Sequence, residues 1–342
     1  MKKLIFILLF NIIVLKLSFA QLCGTYTIPG NYPSISSAIA ALNSSGISCP
    51  VIFLVSAGYK ETAANLTINP ITGSTFYNRV SFQKSGSGAN PKIRAGIGTG
   101  SYDGIIKFNG ASNVTFDGID VSDTVTNTNT TTAMEWGYAL LRPDAIHGCQ
   151  YDTIRNCKIT LNASVSIATS WGIYAKNMTL TGGGITPTAL SGTTSYNAFV
   201  SNYITNTYGG IYLYGYADPN YPYDLYDHNN IITSGASAQS TITNFGTSLT
   251  ISNYTYGVYT YYQNGLQILN TNINNTADGG VPAGAYAYGI YAGSGSNAST
   301  AISGNTITLS SSYCCDYICG IYNLSGNTGV DNYINISNSY LE

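Results

Sequence analysis

The sequence predicts an all-β chain, a single-stranded right-handed parallel β-helix with a short N-terminal capping helix. Three observations predict it. From residue 63 onward, short β-type runs alternate with Gly, Asn, Ser and Thr, and no helical period appears. A phrase of Gly, then Ile or Val, then Tyr recurs at Gly172-Ile173-Tyr174, Gly210-Ile211-Tyr212, Gly257-Val258-Tyr259, Gly289-Ile290-Tyr291 and Gly320-Ile321-Tyr322, in steps of 38, 47, 32 and 31 residues. Asn recurs shortly before Ile, as in Asn156 to Ile159, Asn202 to Ile204, Asn230 to Ile232 and Asn305 to Ile307. A near-constant unit with insertions is the mark of a solenoid. Asn-Gly and Asp-Gly hairpin signals, which a sandwich or propeller would need, are scarce.

Residues 1–20 read as a signal peptide. Lys2 and Lys3 precede an apolar run from Leu4 to Leu15, and Ser18-Phe19-Ala20 supplies the small-x-small ending. The run falls short of the roughly 20 residues a spanning helix needs, so cleavage before Gln21 and secretion are expected, without membrane insertion. Residues 21–62 form the N-terminal cap. Within it, Ile35, Ala38, Ile39 and Leu42 repeat at helical spacing between Ser34 and Gly46, predicting a helix over 33–46. Val51–Val55 then reads as a buried strand. Residues 63–342 make up the coils. Gly104-Ile105 and Gly118-Ile119 look like earlier, less regular copies of the glycine phrase. The last residues stop in mid-pattern, so the chain is expected to be a portion of a longer protein with further domains, or to meet a partner at that edge.

In each coil Ile or Val is expected to point inward and the following Tyr outward, because strand side chains alternate. Gly or Asn at a corner permits the left-handed backbone of a sharp bend. Asn stacked on Asn would form an amide ladder.

Seven cysteines in an exported chain imply disulfides, with an odd one left over. Cys23 and Cys49 flank one unit, and closing that loop would stabilise by roughly 3 kcal/mol. Proximity also suggests Cys149 with Cys157, and Cys319 with Cys314 or Cys315. A zinc site at the last group lacks a fourth ligand, because the two histidines are His147 and His228.

Only 8% of residues are charged and the net charge is −2, with no basic cluster, which argues against nucleic acid and anionic membrane surfaces. Polarity comes from Asn, Ser, Thr and 30 tyrosines. Three stretches can carry function. Asp144, His147, Asp152, Arg155 and Lys158 lie in the densest polar segment; a lyase or hydrolase would use Arg155 or Lys158 as base and a carboxylate as acid or metal ligand. The plainer reading is a strand with outward polar residues. Asp218, Asp224 and Asp227 lie in a long Tyr-rich loop whose oxygens could take calcium, although their spacing matches no established calcium loop and the plainer reading is an ordinary solvated insertion. No other cofactor is called for. The third is the outward column Tyr174, Tyr212, Tyr259, Tyr291 and Tyr322, an aromatic strip for sugar rings or simply a cross-strand ladder.

The segment Gly30-Asn31-Tyr32-Pro33-Ser34-Ile35-Ser36-Ser37-Ala38-Ile39, with the strand Val51–Val55 and then Gly58-Tyr59-Lys60-Glu61, resembles the opening of the pectin lyase-like β-helix superfamily. It is most similar there to pectin methylesterases. Cys23-Gly24-Thr25-Tyr26-Thr27-Ile28 is similar to openings in secreted β-helix surface proteins of Bacteroidetes. The resemblance implies the fold more than an activity. The catalytic phrases of these families are missing: Tyr151-Asp152-Thr153-Ile154 lacks the esterase Gln, Leu141-Arg142-Pro143-Asp144 lacks its Gly and Trp, and Ile146-His147-Gly148 is not the polygalacturonase phrase. The reading is therefore a secreted or cell-surface, non-enzymatic module for adhesion or polysaccharide binding. A polysaccharide lyase or glycoside hydrolase is the alternative, and a structural spacer the second alternative.

Overall fold

The computed structural model describes residues 20–124, 126–162, 170–246, 254–276, 286–310, 317–326 and 333–342. The signal-peptide reading and Cys314 and Cys315 fall outside these residues. Three sheets of ten, nine and eight strands make a parallel β-solenoid. The chain visits them in turn: 114–117 in the ten-stranded sheet, 120–122 in the nine-stranded, 136–141 in the eight-stranded, then 153–155 back in the first. Pairing within these sheets is parallel throughout.

Register explains the core. Ile154, Phe199, Ile232, Ile268 and Ile302 lie in line along the ten-stranded sheet. Ile159, Ile204, Ile242, Ile273 and Ile307 do so along the nine-stranded sheet. Ile173, Ile211, Val258 and Ile290 do so along the eight-stranded sheet, and all of these side chains are buried. Each fully buried side chain of this size contributes roughly 1.5–3 kcal/mol, so the stack of coils holds itself together. Phe53, Phe82 and Phe116 continue the inner column toward the N-terminus, with ring centroids 4.5 and 4.9 Å apart.

The recurring glycines serve a purpose other than bending. Gly172, Gly210, Gly257 and Gly289 sit inside strands without a left-handed backbone. A Cβ at Gly172, Gly257 or Gly289 would come within 2.3, 2.5 or 2.4 Å of Ile204, Ile273 or Ile307 respectively. The corners fall elsewhere. Gly118, Asn156, Ser201, Asn270, Gly304 and Asn338, each just after a strand of the ten-stranded sheet, have φ of 50–68°. Gly118 is thus a corner and not a copy of the glycine phrase. Gly104 pairs with Trp136, one residue out of step with the glycine column.

The expected stacking of amide on amide occurs between Asn206 and Asn244 on successive coils, but the asparagines that recur before Ile have a different wiring. Asn197, Asn202, Asn230 and Asn305 accept a backbone N–H from the preceding coil through Oδ1, at 2.9–3.1 Å, and donate through Nδ2 to a backbone carbonyl of that coil. Each amide therefore satisfies two buried backbone groups where the chain turns.

The helix, α1, spans Ile35–Ser45, with Ser34 as N-cap in a reciprocal capping box with Ser37 and Gly46 closing the C-terminus. Ile35, Ala38, Ile39 and Leu42 are its buried face. Asn43 bonds Thr67 O and Asn69 N, docking α1 beside 66–68, the first strand of the eight-stranded sheet. Glu61 receives the Ile35 and Ser36 amides at 2.8 and 3.1 Å, placing a carboxylate at the positive end of the helix. Cys23 and Cys49 form a disulfide across the first two strands of the ten-stranded sheet. Cys149 and Cys157 are free thiols, contrary to the pairing proximity suggested. Both are buried, and they donate instead to Leu141 O and Arg155 O.

Candidate functional site

The outer surface of the eight-stranded sheet is an aromatic face. Tyr174, Tyr212, Tyr259, Tyr291 and Tyr322 occupy one register position on successive strands. Their ring centroids are 4.8, 5.0, 5.2 and 5.0 Å apart. Trp136 extends the column, stacking on Tyr174 at 4.7 Å. It can do so because Ala139, the residue in register with Tyr174, is small.

Further columns flank this one, and the sequence reading missed them. Tyr256 and Tyr288 are in register and near-parallel at 5.4 Å. They stand at 68° to Tyr259 and 90° to Tyr291, so adjacent columns pack as a herringbone. Beyond them Tyr254, Tyr286 and Tyr317 form an outer column with centroids 4.9 and 5.5 Å apart. The signal is visible in retrospect: a tyrosine stands three residues before the phrase's glycine at Tyr254, Tyr286 and Tyr317. Edge-to-face and offset contacts of this kind are the favoured aromatic geometries.

The two halves of the face differ in access. Toward the N-terminus Trp136 and Trp171 are 2% and 4% exposed and Tyr174 is 8%, packed with Met178 and Leu180 from the segment that follows 171–176. Toward the C-terminus the outer column is open, with Tyr254, Tyr286 and Tyr317 at 44%, 40% and 45%. In the column named from sequence Tyr174 is buried and the other four tyrosines are half-buried, so the outermost column is the most accessible part of the surface. Burial, with neighbouring phenols adding to it, pushes the Tyr212, Tyr256, Tyr259 and Tyr291 hydroxyls above their ordinary range and that of Tyr288 up to about 12. The strands Gly209–Tyr214, Tyr254–Tyr261, Tyr286–Gly295 and Tyr317–Ser325 carry no charged residue and are studded with phenols.

The polar segment after Arg142 does not converge. Asp144 and His147 make an exposed pair at 2.8 Å. Asp152 is buried in line with Asn197 and Asn230; its Oδ1 accepts Val114 N at 2.8 Å, and burial raises its carboxyl well above the ordinary range. Arg155 pairs with Asp117 at 2.7 Å on the ten-stranded sheet. Lys158 lies 5.2 Å over the Tyr203 ring on the nine-stranded sheet. Arg155 does border a shallow groove of about 450 Å³ with Tyr77, Arg79, Ser81 and Thr115.

The three loop aspartates also separate. Asp218 accepts the Asn220 and Leu225 amides, both at 3.0 Å, and so orders its own loop. The Asp224 carbonyl meets His228 Nε2 at 2.8 Å. Asp227 is buried beside Arg142, with Oδ1 3.7 Å from the guanidinium and 2.8 Å from Thr194 N. Among the described residues no three His, Cys, Asp or Glu side chains group as a metal site.

One buried cluster has no sequence signal, since its carboxylates lie 32 residues apart. Glu135 Oε2 accepts Asp103 N at 2.8 Å. Burial foremost, with the charge of Asp103 adding, drives the Glu135 carboxyl up to about 8. Burial works in the same direction on Asp103, yet donors from Asn65, Thr99 and Gly100 outweigh it and hold that carboxyl below its usual value. Lys107, one register position before Ala139, is buried near both.

No helix among the described residues is long and apolar enough to cross a membrane. No protein-family model and no curated protein sequence matches the chain. Among solved structures, Escherichia coli YbhC is similar over 94% of this chain and 86% of its own, at 11% identity and a TM-score of 0.48. A GH136 lacto-N-biosidase from Eubacterium ramulus is similar over 92% of this chain and 68% of its own, at 11% identity and a TM-score of 0.47.

Proposed function

We propose that this chain is a secreted glycan-binding module whose contact surface is the aromatic face of the eight-stranded sheet. One observation carries the reading: tyrosines in register on successive coils build an aromatic surface that is open, and free of charged residues, on the strands where Tyr254, Tyr286 and Tyr317 stand. Sugar rings pack their C–H faces on aromatic rings and exchange hydrogen bonds with phenols, so such a surface suits them. The N-terminal leader pattern and the Cys23–Cys49 disulfide support an exported location. The reading is non-enzymatic, because the polar residues a lyase or hydrolase would need are dispersed over separate faces.

The chain beginning at Gln21 should be retained on insoluble polysaccharide without releasing reducing or unsaturated ends. Tyr286→Ala and Tyr317→Ala should weaken retention while leaving the circular dichroism spectrum unchanged. Release of products would overturn the reading in favour of a lyase or hydrolase. No retention on any polysaccharide would leave a structural spacer.

A further inference from the structure

We infer that the ligand of the aromatic face is a neutral, linear glycan in an extended conformation, laid along the solenoid axis with about one sugar per coil. The inference rests on the glycan-binding reading and sharpens it.

Charge is the first argument. The strands Gly209–Tyr214, Tyr254–Tyr261, Tyr286–Gly295 and Tyr317–Ser325 contain no Asp, Glu, Lys or Arg. The strand before them contributes Lys176, whose Nζ lies 5.9 Å over the Tyr214 ring. A uronate or sulfated chain would bring a charge with every unit and find a single counter-charge, Lys176 at one end of this track. Desolvating such a charge unpaired is costly. Neutral hydroxyls meeting phenols incur no such cost.

Spacing is the second. Rings in the open outer column repeat at 4.9 and 5.5 Å. That repeat is imposed by the strand separation of roughly 5 Å, which is also about the rise of one equatorially linked hexose in an extended chain. A coiled, axially linked glucan would drift out of step within a few units.

Geometry is the third. Rings closely stacked along a column cannot lie flat on the sheet, and the open outer column shares the tilt of its neighbour, with Tyr254 and Tyr256 only 5° from parallel. What reaches solvent is an oblique ring face beside a phenol edge. An equatorial pyranose presents the same alternation of C–H face and hydroxyl rim. Met178 and Leu180 roof the N-terminal part of the face, which fixes the track to the C-terminal coils.

The test is isothermal titration of the chain from Gln21 with β-1,4-linked gluco-, manno- and xylo-oligosaccharides of graded length, and with oligogalacturonates. At least one neutral series should bind, with affinity rising to about four sugars, one for each charge-free strand, and then levelling. Raising salt from about 0.05 M to about 0.5 M should leave that affinity unchanged, because no ion pair is involved. Tyr286→Ala should lower it about tenfold, and Tyr286→Phe less, since the ring face remains. Binding confined to oligogalacturonate, lost in high salt and in Arg79→Ala, would overturn this inference while leaving glycan binding intact on the groove beside Arg155. Binding of neither class would end both.

Discussion

Gly210 and Ile242 share one space in the core: a Cβ on Gly210 would lie 2.4 Å from Ile242 Cγ2 and 2.3 Å from the backbone oxygen of Gly257. Neither obstacle can swing away, because one is packed and the other is main chain. Gly210→Ala should therefore cost about 3 kcal/mol, at the upper end for overpacking. Gly304 is the control. Its φ is 68° in a corner column shared with Asn270 and Asn338, and a Cβ there presses on the end of the Asn270 side chain while staying 3.7 Å from the nearest backbone atom. Asn tolerates that backbone, so Gly304→Asn should stay within about 0.5 kcal/mol. Urea unfolding of both variants checks the contrast, and equal losses would mean that glycine is needed for bending at both positions.

That contrast also marks what the sequence could and could not reveal. Gly172, Gly210, Gly257, Gly289 and Gly320 announce a repeat by position alone, yet their physical purpose depends on a side chain supplied by a different sheet, an isoleucine for the first four and Leu341 for Gly320. Linear spacing cannot show that contact. The Tyr column was legible because alternation fixes which side of a strand a residue takes. Its accessibility was not, since the roof over Tyr174 comes from Met178 and Leu180 in an insertion of irregular length. Asp152 read as a polar outward residue. Register instead places it in line with Asn197, taking the backbone N–H of Val114 as the asparagines take theirs.

Glu61 should be the residue that fastens α1 to the first coil. It takes the amides of Ile35 and Ser36, which a helix N-terminus leaves without intrahelical partners, and also the Ser36 hydroxyl. Glu61→Gln keeps the shape but removes the charge facing the helix dipole and turns one acceptor into a donor. A loss of about 1 kcal/mol is expected. An unchanged unfolding midpoint would show that packing of Ile35 and Leu42 holds the helix alone.

Arg142 and Asp227 form a buried pair joining the end of one coil to a residue 85 positions later in the chain. Arg142 also bonds Gly192 O and Thr194 Oγ1, while Asp227 takes Thr194 N and a 3.3 Å bond from Gln263. Removing one charge strands the other, so Arg142→Met should destabilise by about 3–5 kcal/mol. Asp227→Asn should cost less, because the amide oxygen can still accept Thr194 N. The double variant should be less destabilised than the two losses added together. Additive losses in denaturant unfolding would show that the two charges are not coupled.

Glu135 should make the fold less stable as pH rises through neutrality. Burial, with the charge of Asp103 behind it, holds its carboxyl at about 8 against an ordinary 4.5, although the Asp103 amide opposes the shift. Between those values the folded chain keeps a proton that the unfolded chain has released. Stability is then highest below the unfolded pKa and is lost as pH climbs through the folded one. Asp152, raised by burial, adds a slope of the same sign. Glu135→Gln mimics the protonated acid and can present its oxygen to Asp103 N just as Glu135 does. Urea midpoints should fall for the unmodified chain from pH 5 to pH 8. They should fall less for Glu135→Gln, leaving the variant at least as stable at the upper pH. Parallel profiles for the two proteins would mean that Glu135 ionises at its ordinary value, and that the cluster with Asp103 and Lys107 holds a full negative charge throughout.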